Sequence, residues 1–146
     1  MIEIKPDSVI FKRWPMSVSS NQLYASVNGR LIKSDAGRNY SLQVYAWAQK
    51  NKSTIDKLKG ILRGKTLRVD CAFFFPKSKL VTKKNTLKRI DWSNRIKLVH
   101  DNLADLIEVD DSHFISGYCC KKISDNDESY VDITISEANL ERRQES

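Results

Sequence analysis

Between Asp91 and Asp111 the sequence reads D-W-S-N-R-I-K-L-V-H-D-N-L-A-D-L-I-E-V-D-D. Asp91 stands just before an expected helix. Asn94, Lys97 and Asp101 follow at intervals of three and four, which puts them on one polar stripe of that helix. Asp110 and Asp111 come after it, in an acidic turn, Glu108 to Asp111, that precedes a strand. Carboxylates gathered in this way suit a hard cation. Mg²⁺ takes oxygen ligands, usually a few carboxylates completed by water and substrate phosphate. It can polarise a scissile phosphate and activate water. Lys97 would neutralise charge building on that phosphate. Each residue also has a plainer reading. Asp91 can cap the helix, Lys97 and Asp101 can form an i,i+4 pair in the less favourable order, and Asp110-Asp111 can be a turn.

These residues need a scaffold. Trp92 to about Ile107 is the expected helix, with Ile96, Val99, Leu103 and Leu106 or Ile107 as its buried stripe. Upstream, Lys65 to Phe75 is a strand. Leu67, Val69, Cys71, Phe73 and Phe75 alternate onto one face, and Pro76 ends it. Between strand and helix lies K-S-K-L-V-T-K-K-N-T-L-K-R, Lys77 to Arg89, with no acidic residue, expected to be a solvated or disordered loop. Its Lys77, Lys79, Lys83, Lys84, Lys88 and Arg89 are candidate phosphate contacts that would offset the repulsion between carboxylates and a polyanion. Downstream, Phe114 to Ile123 and Tyr130 to Ser136 read as two strands joined as a hairpin through S-D-N-D-E-S. If the first packs beside the strand ending near Phe75, the second acidic pair could return toward the first.

The N-terminal half supplies the rest. Val9 to Arg13 reads as a strand and Trp14 to Asn21 as a loop. Gln22 to Val27 and Arg30 to Lys33 form a hairpin turning at Asn28-Gly29. Ser34 or Asp35 caps a helix to about Lys50, with Leu42, Tyr45, Ala46 and Gln49 at helical spacing and Trp47 nearby. Lys52 to Ile61 extends it or forms a second helix, closed off by Gly60 and Gly64. The order predicts one α+β domain, a mixed sheet packed with helices, over residues 1–146 with a frayed tail from about 138.

The chain has 146 residues, 40% hydrophobic and 29% charged, with a net charge of +7. That basic excess favours a polyanion, whether DNA, RNA or an anionic membrane, or simply a soluble basic surface. Arg30, Lys33 and Arg38 are further candidate phosphate contacts. Trp14, Tyr24 and Trp92 could stack on unpaired bases, Trp92 best because it adjoins Asp91, or each could equally pack in the core. His100 and His113 lack the spacing of a metal site and read as structural. Cys71, Cys119 and Cys120 are odd in number and lack C-x-x-C spacing, which points to reduced packing residues in a cytoplasmic protein. No signal peptide or membrane-spanning run is visible.

D-W-S-N-R-I-K, then D-N-L, then V-D-D-S-H-F resembles the RusA-like Holliday junction resolvases, whose pattern runs D-x-D-N-x-x-K, D-x-L, D-D-x-x-apolar. The opening S-S-N-Q-L-Y, G-R and S-D-A-G-R-N-Y is similar more loosely, and the closing I-T-I-S-E also agrees, so the likeness covers Trp14 to Glu137. It implies a homodimeric, Mg²⁺-dependent endonuclease (Mn²⁺ as an alternative ion) that resolves branched DNA by paired nicks in recombination and repair, in a family common in phages and prophages. By this resemblance Asp91 and Asp111 are catalytic aspartates with Lys97 as the catalytic lysine. Asp91, Asp101, Asp110 and Asp111 are the metal ligands, supported by Ser93 and Asn94. Ser93 is a departure: the family has an aspartate there, and a neutral hydroxyl is a weak ligand. A protein that binds junctions but cuts them poorly is the alternative.

Overall fold

The computed structural model describes residues 1–17, 24–33, 35–90 and 93–144. Among them are eight strands and four α-helices: β1 Ile2–Ile4, β2 Val9–Pro15, β3 Tyr24–Val27, β4 Arg30–Lys33, α1 Asp35–Lys50, α2 Lys52–Leu62, β5 Leu67–Phe75, α3 Lys77–Leu80, α4 Ser93–Ile107, β6 Phe114–Ser116, β7 Cys119–Ile123 and β8 Tyr130–Glu137. The main sheet runs β1-β2-β8-β5, with β6 and β7 end to end along the far side of β5. β5 is parallel to β6 and β7 and antiparallel to β8, so the sheet is mixed. β3 and β4 form a separate hairpin.

The pleat sends alternate side chains to opposite faces. Leu67, Val69, Cys71, Phe73 and Phe75 of β5 and Val131, Ile133 and Ile135 of β8 are buried on one face. Val9 and Phe11 of β2 join them, and then the parity changes. Arg13 has φ 57° and the β2–β8 register shifts between Phe11 and Trp14, a bulge that turns Trp14 inward. The Arg13 amide donates to Asp132 at 3.1 Å and its guanidinium to Glu128 at 2.8 Å, which holds the unusual backbone in place. Tyr40, Val44, Trp47 and Ala48 of α1, Ile55, Leu58 and Leu62 of α2, and Leu98, Val99, Leu103 and Ile107 of α4 complete one core against this face.

Several expectations change. β2 runs on through Trp14, which is wholly buried and donates its Nε1 hydrogen to Tyr40 at 3.0 Å, so it cannot stack on bases. Leu42 and Tyr45 are 65% and 63% exposed. Apolar residues surround much of α1, and the sheet takes the Tyr40–Val44–Trp47 side, where the Trp47 ring meets Phe11 and Trp14. Asn51 separates α1 from α2. The basic stretch is ordered: Leu80 is buried, Val81 bridges Leu87, and Thr82 and Thr86 hydrogen-bond across the turn. β7 and β8 are not a hairpin, because β5 lies between them.

The expected strand Phe114 to Ile123 breaks at Gly117. A Cβ there would lie 2.1 Å from the Val69 carbonyl oxygen, so only glycine lets the chain pass this close to β5. The break is stitched by Tyr118, whose N–H donates to Asp70 Oδ1 at 2.8 Å and whose carbonyl accepts from Cys71 N–H at 2.9 Å.

Candidate functional site

α4 buries Leu98, Val99, Leu103 and Ile107 and leaves Lys97, Asp101 and Asp105 exposed, four residues apart on one stripe. Glu108, at φ 56°, ends the helix, and Val109 N–H closes the turn on Ala104 O at 3.0 Å. Asp110 then caps the next turn, Asp111–His113: its Oδ1 accepts from Ser112 N–H at 2.9 Å. His113 ties that turn to the chain before β5 through Nδ1 and Lys65 O, 2.9 Å apart. The sequence thus bends back on α4 and sets Asp110 and Asp111 beside Asp101 and Asp105. The four line an open pocket of about 360 Å³ together with Ala104 and Val109.

Charge follows from this geometry. Burial and then the neighbouring Asp111 charge raise the Asp101 pKa, against the pull of Lys97. The Ser112 hydrogen bonds lower that of Asp110. His100 is held below its ordinary value by burial, although Asp101 and Asp111 both act to raise it. Its ring meets Phe114 edge-on at 5.5 Å, and its Nε2 is buried with no hydrogen-bond partner among the described residues.

The donors of this pocket are all carboxylate oxygens, the chemistry a hard cation needs. Among the described residues no three of His, Cys, Asp or Glu converge to enclose an ion. Asp101 and Asp111 act on each other as charges, which fits an open Mg²⁺ site: such an ion is held by one or two carboxylates and completed by water and phosphate. The raised Asp101 pKa gives a pH prediction. In the folded chain Asp101 takes up its proton at a higher pH than in the unfolded one. Burial of the Asp101 charge, and after it the repulsion with Asp111, therefore cost stability above the folded pKa, and both are relieved as pH falls through it. Thermal melting should show Asp101→Asn at least as stable as the parent chain at neutral pH, with the difference closing in acid. Divalent-ion affinity of the parent should fall over the same window.

Lys77, Ser78, Val81, Thr82, Lys83 and Lys88 line a second depression, of about 510 Å³. Lys88 Nζ donates to Ser78 O at 2.6 Å. Lys79, Lys84 and Arg89 are exposed around it. This basic surface follows the Phe75 end of β5, near the start of α4. The acidic turn meets the Leu67 end, since Leu67 registers with Phe114. Nine residues of β5 make the two ends about 26 Å apart. The lysines therefore do not surround the carboxylates; β6, parallel to β5, carries Asp110 and Asp111 to the opposite end.

Asp91 and Trp92 lie outside the described residues, as does the Asn94 side chain. Their described neighbours are at the Phe75 end: Ile90 O accepts from Lys121 Nζ of β7 at 2.9 Å, and Ser93, exposed, opens α4. The rise of the helix alone puts Ser93 about 12 Å from Asp101. Arg30 is exposed at the start of β4, directly after the turn in which Asn28 and Gly29 both have positive φ. Arg38 pairs with Asp35 within α1. Side chains of Tyr24 and Lys33 are outside the described set. Asp105 was not anticipated, although its place one turn after Asp101 marks it. Nor was Arg95, which anchors α4 to the end of β2: Ser17 Oγ donates to Arg95 O at 3.1 Å, and the guanidinium donates to Ser17 O.

No helix among the described residues is long and apolar enough to cross a membrane. No curated protein matches the sequence. A family model described as endodeoxyribonuclease RusA matches residues 14–136, from Trp14 on β2 to Ser136 on β8, a span that includes both depressions and the whole of α4. The chain belongs to the RusA endodeoxyribonuclease family.

Proposed function

We propose that this protein is an Mg²⁺-dependent endonuclease that resolves four-way or other branched DNA by paired nicks, acting as a homodimer. The observation that carries the reading is the pairing of Asp101 with Asp111 at the end of α4, with Lys97 one turn back on the same exposed stripe. Asp101 and Asp111 would hold the ion, and Asp110, committed by one oxygen to Ser112, fixes the turn and would offer the other. When bound there, a divalent ion would supply a Lewis acid for the scissile phosphate and lower the pKa of a water. Lys97 places a cation where charge grows on the phosphate oxygens as water adds and the sugar oxygen leaves. The lysines beyond Phe75 hold a neighbouring phosphate run and so set the direction of the DNA along α4. Cutting of a synthetic four-way junction should need Mg²⁺ or Mn²⁺, and Asp91→Asn should abolish it. Nicking that survives this substitution, or that proceeds in chelator, rejects the proposal.

A near-twofold junction and paired nicks call for two sites in fixed relation, which a twofold dimer supplies. The positions of Ile90 and Ser93 bear on how Asp91 takes part. Ser93 lies about 12 Å of helix before Asp101, and the acidic turn follows the far end of α4. This favours Asp91 serving the Asp101–Asp111 pair of a second copy. Mixed dimers of Asp91→Asn and Asp111→Asn subunits, each inactive alone, should then regain nicking at one site. Mixtures as inactive as their parents would place the whole site in one chain.

The basic depression makes a separate prediction. Changing Lys77, Lys83 and Lys88 together to alanine should weaken binding to all DNA sequences alike. The slope of log affinity against log salt should fall by up to roughly 0.9 for each phosphate that is no longer neutralised. An unchanged slope, measured by fluorescence anisotropy, would remove this surface from the interface.

A further inference from the structure

The cysteines have no part in the proposed hydrolysis, yet two of them are placed against each other. Cys71 on β5 and Cys119 on the parallel strand β7 are direct register partners. Cys71 is 1% exposed on the core face, whereas Cys119 is half-buried at the edge of the sheet. As register partners they send their side chains to the same face of the sheet, side by side. Strands pair at about 4.8 Å, inside the span of about 4.4–6.8 Å over which a disulfide can join two Cα atoms. Cys120, the next residue, faces the other way and lines a depression of about 310 Å³ on the opposite side of the sheet with Ala72 and Phe74. Alternation along the strand therefore disfavours a bond between Cys119 and Cys120.

We propose that Cys71 and Cys119 are a reversible oxidation site, in which Cys119 reacts with a peroxide and Cys71 resolves the product as an intrachain disulfide. The division of labour follows from their surroundings. The neighbouring Cys71 thiol favours the Cys119 thiolate and holds the Cys119 pKa below its ordinary value, and Cys119 is the more accessible of the two. The same contact and burial push the Cys71 thiol up, and it stays protonated. In the first step the Cys119 sulfur attacks one peroxide oxygen. An S–O bond forms, the O–O bond breaks, and the departing hydroxide takes a proton as water. In the second, the Cys71 sulfur attacks the Cys119 sulfur. The S–S bond forms, the S–O bond breaks, and the leaving hydroxide takes the Cys71 proton as a second water. Two thiols lose two electrons and two protons, and hydrogen peroxide becomes two waters. A small thiol such as dithiothreitol returns both groups. The disulfide would clamp β7 to β5 two residues beyond the Gly117 break, at the strand that also carries Lys121 to Ile90.

The test uses the full chain and hydrogen peroxide, without denaturant, followed by alkylation, intact mass and non-reduced peptide mapping. The expected product has lost two hydrogens, keeps one alkylatable thiol, and yields a Cys71–Cys119 linked peptide that dithiothreitol separates. Cys120→Ser, which leaves the core untouched, should give the same bond with no thiol remaining. Cys71→Ser should instead leave Cys119 as a sulfenic acid that a cyclic dione traps. Three free thiols after treatment, a bond to Cys120, or a bond between chains would each overturn the proposal. The readout is mass, so it is independent of whether the protein cuts DNA.

Discussion

Asp111→Asn should bind a four-way junction at least as tightly as the parent chain and nick it at least about 100-fold more slowly in saturating Mg²⁺, since loss of an outer-shell partner alone costs a metal site about 10–100-fold. The amide keeps the shape of the side chain but loses the charge that would hold a hard cation. Asp111 is exposed, and the turn it begins is held by Asp110 and His113, so the fold should be unaffected. Binding should rise slightly when no divalent ion is present, because one of the carboxylates facing the phosphates is gone. Gel-shift and single-turnover nicking on the same junction separate the two effects. A rate within a few-fold of the parent, at matched binding, would remove Asp111 from the chemistry.

Gly117→Ala should cost about 3 kcal/mol, the upper end of what overpacking usually costs, measured as a lower urea midpoint. The added methyl would meet backbone, the Val69 oxygen at 2.1 Å and its carbonyl carbon at 3.2 Å, so no rotamer change relieves it. β6 or β7 must leave β5, and the bonds that Tyr118 makes to Asp70 and Cys71 go with them. β6 follows the acidic turn directly, so nicking should fall at temperatures where the parent is fully active. An unchanged midpoint would show that β5 can yield at Val69.

How much of this could be read from the residues depended on whether a local signal and the tertiary outcome agreed. Leu67 to Phe75 and Val131 to Ile135 alternate cleanly and were unambiguous, as was the turn at Asn28-Gly29. α1 was not, because Leu42 and Tyr45 satisfy helical spacing as well as Tyr40, Val44 and Trp47 do. Only the sheet, through Phe11 and Trp14, decides which side is buried. Sequence neighbours usually pair, which made β7 and β8 look like a hairpin. The insertion of β5 between them is long-range and leaves no local mark. Lys77 to Arg89 looked like a solvated loop because its charge hides two anchors, Leu80 and the Thr82–Thr86 turn. At the site, the stripe of Lys97 and Asp101 was legible from spacing. The meeting of Asp101 with Asp111 needed the Glu108 helix stop, and the distance of both from the lysines needed β6 to be parallel to β5.

Calorimetric titration of the metal-free chain with Mn²⁺ reaches the central claim without DNA or turnover. Saturable binding is predicted, lost or much weakened in Asp101→Asn and in Asp111→Asn and retained in Asp132→Asn on the far face of the sheet. Equal Mn²⁺ affinity in all four proteins would contradict the assignment of the α4 pocket as the place where the ion sits.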